Sequence, residues 1–243
     1  MPVLHTWAKN QYLRYRDGVV LLEVERPNGD RANGTAFHVG DGVYITAAHV
    51  VAANLVKGIT TPEMRESLDG IESGPFLHPD PNVDVACFTA PADRRPALPL
   101  GGHLDDWISD PSFVLWPTLV IGYPPVPLAN SVAVAATGEI NAVVDLYTGA
   151  PHPRFLISTM ARGGFSGAPV LTGYAEEPEK VFVLGVVTES LVKDAATEET
   201  GFMSVLNVEA IFTCLEAHDL LPPAQVEGME GIFNARSGSG PSS

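Results

Sequence analysis

The chain has 243 residues, of which 45% are hydrophobic, enough to fill the core of one large domain or two small ones, and this excludes a wholly disordered protein. Its 29 acidic residues outnumber 14 basic ones, for a formal net charge of −15, which argues against nucleic-acid backbones and anionic membranes as partners. No run of about 18 apolar residues offers a membrane span, and the first residues lack the basic-then-apolar layout of a secretory leader, so a cytoplasmic protein is expected.

Residues 1–17 carry Trp7, Tyr12 and Tyr15 among polar and basic side chains and read as an arm, helical or extended, docked on the domain. Val19–Val24 is rich in β-branched residues and reads as a strand. Pro27-Asn28-Gly29 then supplies a hairpin signal, and Gly34–Val39 is a second strand. After the turn Gly40-Asp41-Gly42, Val43–Thr46 forms a third strand that runs into Ala47-Ala48-His49. The small residues before His49 leave its ring room to meet a partner. Residues 52–75 lack clear periodicity and are expected to be loop, with a helical turn near 62–68. In Val83-Asp84-Val85-Ala86-Cys87-Phe88 an acid stands at the start of an apolar strand, where a carboxylate is costly unless another group satisfies it.

The Pro-rich, polar stretch 96–112 reads as a crossing between two halves. Strands are expected at 113–115, 118–124, 131–140, 155–159, 181–188 and 201–205, and Asn207 is placed to cap a helix over 208–217. Gly and Pro, 23 and 21 in number, punctuate the chain throughout. The composite is all-β with one C-terminal helix: a first half at 18–95, a second at 113–221, and a linker or disordered tail at 222–243. Such a tail leaves room for a fused domain or an activating partner. Cys87 falls in an apolar strand and Cys214 in the helix, and both are expected as buried free thiols. No His/Cys spacing suggests a metal and no phosphate loop is present, so no cofactor is expected.

One stretch draws the rest together. In Gly163-Gly164-Phe165-Ser166-Gly167-Ala168-Pro169 a serine sits among small residues, in a setting suited to a tight turn that exposes the hydroxyl and turns backbone N–H groups toward one point. A serine hydroxyl becomes a useful nucleophile only when an imidazole takes its proton, and that imidazole needs a carboxylate to hold its tautomer. His49, Asp84 and Ser166 supply these three types in that order.

With Gly34-Thr35-Ala36-Phe37, Thr46-Ala47-Ala48-His49-Val50, Asp84-Val85-Ala86 and Gly164-Phe165-Ser166-Gly167, the chain resembles the chymotrypsin-fold serine peptidases, above all the bacterial trypsin-like and HtrA-like group. The resemblance runs from about Val19 to Leu215. It implies two six-stranded antiparallel β-barrels, with His49 and Asp84 from the first and Ser166 from the second. It implies an oxyanion hole built from the N–H groups of Gly164 and Ser166. Met160 would lie at the base of the first specificity pocket, and Thr188 would flank the substrate and support Asp84. The expected activity is hydrolysis of protein or peptide substrates. Two features depart from the pattern: Phe165 stands where cleavage-activated relatives carry an acid, and the chain has no space for a PDZ domain. The competing expectation is a protease-fold regulatory or binding module whose triad is inactive or needs a partner to align it.

Overall fold

The computed structural model describes residues 2–61, 66–68, 70–92, 94–102, 113–126, 132–144, 152–159, 163–173, 180–192 and 199–226. Its front half is a curled antiparallel sheet with strand order β5-β4-β1-β2-β3-β7-β6. These are β1 (Val19–Glu25), β2 (Arg31–Gly40), β3 (Val43–Thr46), β4 (Leu55–Thr61), β5 (Glu66–Leu68), β6 (Ser73–Leu77) and β7 (Ala86–Thr89). The rear half is a closed six-stranded barrel in the order β10-β13-β12-β11-β8-β9. It comprises β8 (Pro117–Gly122), β9 (Val134–Val144), β10 (Arg154–Ile157), β11 (Pro169–Gly173), β12 (Val181–Val192) and β13 (Glu199–Asn207). The double-barrel, all-β architecture is therefore present. Its front member has seven described strands and an open ladder where six strands and closure were expected.

The apolar run in β1 has a direct cause. Val20, Leu22 and Val24 point into the curl of the front sheet, packing with Tyr44, Ile59 and Phe88. The alternate residues Val19 and Leu21 join a second core, which is shared with Leu119, Ile121 and Val170 of the rear barrel. Both faces of the strand are covered, so hydrophobic alternation disappears. Each large side chain taken out of water in this way contributes roughly 1.5–3 kcal/mol.

The segment 16–18 forms a 3-10 turn after helix α1 (Pro2–Tyr15), so the N-terminal arm is helical. Trp7 and Tyr15 anchor it in the shared core. The chain crosses between halves beside residues 98–101: the Leu98 N–H donates to His38 O, while the Gly101 N–H donates to Val183 O on the rear side. Helix α3 (Val208–Ala217) comes after β13 and buries Val208, Ile211, Phe212, Cys214 and Leu215. Asn207 occupies its N-cap position in an extended conformation, but its side chain makes no capping hydrogen bond.

Three expectations are corrected. Residues 55–61, 66–68 and 73–77 are strands β4, β5 and β6 where loop was expected, and β5 stands in place of the helical turn expected near 62–68, of which 62–65 lie outside the described residues. The three strands lie toward the sheet edges, and in β4 only Ile59 and Thr61 are buried, so the apolar signal is thin. Residues 113–115 form a turn, not a strand: Phe113 is buried, Leu115 is 65% exposed, and the Leu115 φ of 71° breaks an extended chain. Residues 222–226 dock on the front half before any linker begins. The buried Gln225 side chain donates to Val39 O and Leu98 O and accepts the Leu100 N–H. The remainder of the expected tail, 227–243, lies outside the described residues.

Candidate active site

The front half brings an imidazole and a carboxylate together through register. Thr46, the last residue of β3, pairs with Ala86, the first of β7. His49 comes three residues after Thr46 and Asp84 two before Ala86, so the end of one strand faces the start of the other. Ala47 is extended (φ −75°, ψ 139°) and fully buried, after which the single-turn helix α2 (Ala48–Val51) carries His49. Asp84 sits between buried Val83 and Val85, and His49 satisfies it twice. The His49 backbone N–H donates to Asp84 Oδ1 at 2.8 Å, and Nδ1 lies 2.7 Å from Oδ2. A carboxylate only accepts, so the Nδ1 proton points at Asp84 and Nε2 is left with the lone pair. The Asp84 side chain is 20% exposed and that of His49 50%, so the acid lies behind a ring that reaches solvent.

Asn54 belongs to this unit, although nothing in the sequence singled it out. Its side-chain amide donates to His49 O at 3.1 Å and Val50 O at 2.9 Å. These bonds satisfy carbonyls that a single-turn helix leaves open and hold the His49 backbone in place.

Ser166 sits in a tight turn before β11. The Ala168 N–H donates to Phe165 O at 2.8 Å, and Gly164 and Gly167 have φ of 93° and 84°. At Gly167 a Cβ would also collide with Thr35 O, so both the conformation and the space demand glycine. Phe165 is buried against Gly122 and Ala168, and the position where activated relatives carry an acid is thus a core contact here.

The turn is tied to both halves. On the rear side the Gly167 N–H donates to Val187 O at 2.8 Å. On the front side the Thr35 N–H donates to Ser166 O at 2.9 Å, and the Thr35 hydroxyl donates to Gly164 O at 2.7 Å. Thr35 was legible as part of a motif, but its role was not.

A cleft of about 380 Å³ lies between the halves, and His49, Ser166, Gly163 and Gly164 share its wall. Asp84 stands behind His49. Among the described residues neither the Gly164 nor the Ser166 N–H donates to a protein acceptor. The serine, the imidazole held by a carboxylate, and the glycines of the serine turn therefore line one space.

Thr188 is buried on β12, and its hydroxyl accepts from Arg154 Nη1 at 3.3 Å. It is not among the described residues lining the cleft. Met160 lies outside the described residues. Cys87 and Cys214 are both free and buried, as expected. Among the described residues no helix is long and apolar enough to cross a membrane.

The trypsin-like peptidase domain model matches residues 34–177, more than half of the chain. The chain belongs to that family. As a trypsin-like serine protease it has the β-barrel fold of several solved structures. The Rv3671c protease from M. tuberculosis in its active form is 22% identical with a TM-score of 0.57, over 83% of this chain and 80% of that one. The HtrA-type protease AlgW, solved with a tripeptide, is 19% identical with a TM-score of 0.62, over 87% of this chain and 62% of that one. The serine endoprotease from Yersinia pestis is 17% identical with a TM-score of 0.60, over 86% and 65%. No curated protein matches the sequence.

Proposed function

We propose that the protein is a serine endopeptidase in which Ser166, His49 and Asp84 work as a catalytic triad through an acyl-enzyme. The single observation that carries this reading is the 2.7 Å contact between His49 Nδ1 and Asp84 Oδ2, on the wall of the cleft that also holds Ser166. In the first step the Ser166 proton moves to His49 Nε2 as Oγ attacks the peptide carbonyl carbon. The carbonyl oxygen becomes an oxyanion and accepts from the N–H groups of Gly164 and Ser166. Collapse breaks the C–N bond, and the leaving amine takes the proton from His49. Water then repeats the sequence: His49 accepts its proton, the ester is cleaved, and Ser166 recovers its hydrogen.

Asp84 holds the ring and stabilises the imidazolium that forms. Met160, aligned with the base of the first specificity pocket, favours small or medium apolar side chains before the cleaved bond. The test is labelling with a fluorophosphonate probe. Wild type should label and Ser166→Ala should not, while both keep the same circular dichroism spectrum. Absent labelling of wild type, or equal labelling of both, would favour a regulatory module with an unaligned triad.

A further inference from the structure

The cleft is not neutral, although the protein as a whole is strongly acidic. Its described lining on the front side includes Arg26 and Arg31, at the two ends of the β1–β2 hairpin, together with Asn33 and Asn54. Both arginines are exposed, and neither guanidinium makes an ion pair or hydrogen bond among the described residues. The acids around them are engaged elsewhere. Glu25, the cross-strand partner of Arg31, pairs with Lys57 at 3.1 Å. Asp30 accepts from the Asn28 side-chain amide at 2.8 Å. Glu23 faces Gly58 on β4. Among the described residues, two unneutralised cations therefore share one cavity with Ser166.

Their side of the cleft decides which part of a substrate they meet. His49 delivers a proton to the departing amine, so the chain beyond the cleaved bond must pass over His49 and the front half. The arginines lie in that half. A cleft of this volume is roughly 10 Å across, about three extended residues at ~3.3 Å each.

Resting on the endopeptidase reading above, we propose that Arg26 and Arg31 select peptides with an acidic side chain within the first three residues after the cleaved bond. The net charge of −15 repels such peptides at long range, but salt near physiological strength screens this beyond roughly 8 Å. At contact distance the two guanidinium groups dominate, and each can take a carboxylate in bidentate geometry.

The test compares pairs of peptides that differ only in Asp or Lys at the second position after the bond. For wild type, kcat/KM should favour Asp by roughly tenfold, as two surface ion pairs allow, and the ratio should shrink as salt rises. The ratio should approach one in a variant combining Arg26→Ala and Arg31→Ala, and should invert when both arginines become glutamate. The same charge preference should govern binding of fluorescein-labelled peptides to Ser166→Ala, where no chemistry occurs. Wild type that labels with fluorophosphonate but shows a ratio within about twofold of one would overturn the proposal. Unlabelled wild type, with charge-selective binding kept by Ser166→Ala, would overturn the endopeptidase reading and leave the arginine site standing.

Discussion

The Thr35 hydroxyl donates to Gly164 O at 2.7 Å and accepts the Tyr123 N–H at 3.0 Å, joining β2 to the serine turn across 129 residues of sequence. One buried oxygen thus satisfies two backbone groups of the rear half, and its own carbonyl accepts from Thr46 Oγ1 at 2.7 Å. The strand that pairs with β3, just ahead of His49, is therefore also the strand that fixes Gly164. The two halves of the site are not free to drift independently.

Thr35→Val keeps the shape and removes the hydroxyl, leaving Gly164 O and the Tyr123 N–H buried without a partner. The expected cost is about 2 to 4 kcal/mol, with Tm lower by roughly 5–10 °C. Because Gly164 contributes to the proposed oxyanion hole, kcat should fall at least about tenfold with a smaller change in KM. Thr35→Ser restores the hydroxyl and should recover most of both. Thermal melts and steady-state kinetics on the three proteins decide the matter, and a variant that loses stability but keeps full kcat would confine Thr35 to a structural role.

Asp84→Asn tests the carboxylate more sharply than a truncation. An Asn Oδ1 can still accept the His49 N–H, so the local fold should survive. The amide that replaces Oδ2 is a donor, and it forces the imidazole proton from Nδ1 to Nε2, where it blocks acceptance from Ser166. Turnover should drop by about 10⁴-fold with an unchanged unfolding midpoint. A loss below about tenfold would mean that His49 does not depend on Asp84 for its tautomer.

His38 links folding to pH. Burial lowers its pKa below the ordinary 6.5, with hydrogen bonding to Pro96 O opposing that shift. Its Nε2 accepts the Gly42 N–H at 3.3 Å, which requires the neutral ring. Below pH 6.5 the unfolded chain takes up a proton before the native one does, so stability is fully present above 6.5 and is lost as pH falls toward the depressed native value. His78, also lowered chiefly by burial, acts with the same sign. Urea unfolding between pH 8 and about 5 should show falling stability in the acid limb, and His38→Gln should flatten the slope. An equal slope in both proteins would remove His38 as its source.

The catalytic candidates were legible because each carries local context: small residues before His49, valines around Asp84, glycines around Ser166. What stayed hidden depends on distant pairing. Thr35 acts through a turn 129 positions away. Asn54 matters only once His49 is known to ride a single-turn helix. Arg26 and Arg31 look like ordinary hairpin charges until the hairpin is placed on the cleft. Edge strands β5 and β6 escaped notice because stability there comes from ladder bonds to a neighbour, not from apolar periodicity. Phe113 misled in the opposite direction, its burial coming from a turn packed on Trp116.

Cys87 on β7 and Cys214 on α3 bring the front sheet and the terminal helix into contact, with Sγ atoms 3.8 Å apart and both residues fully buried. The Cys87 thiol is pushed well up, first by its hydrogen bond with Cys214 and then by burial, so it presents almost no thiolate. The neighbouring Cys214 thiol is shifted the other way by the same hydrogen bond, so it is burial that keeps a thiol reagent from both sulfurs in the native state. The native protein should therefore react with 5,5′-dithiobis(2-nitrobenzoate) only at the rate of unfolding, and both thiols should appear together in denaturant. Mixing the protein with reagent across a urea series and comparing labelling rate with unfolding rate tests this. Fast labelling of one cysteine in native buffer would mean that α3 lifts from β7 without global unfolding, and the contact between the halves would then be a hinge instead of a fixed core.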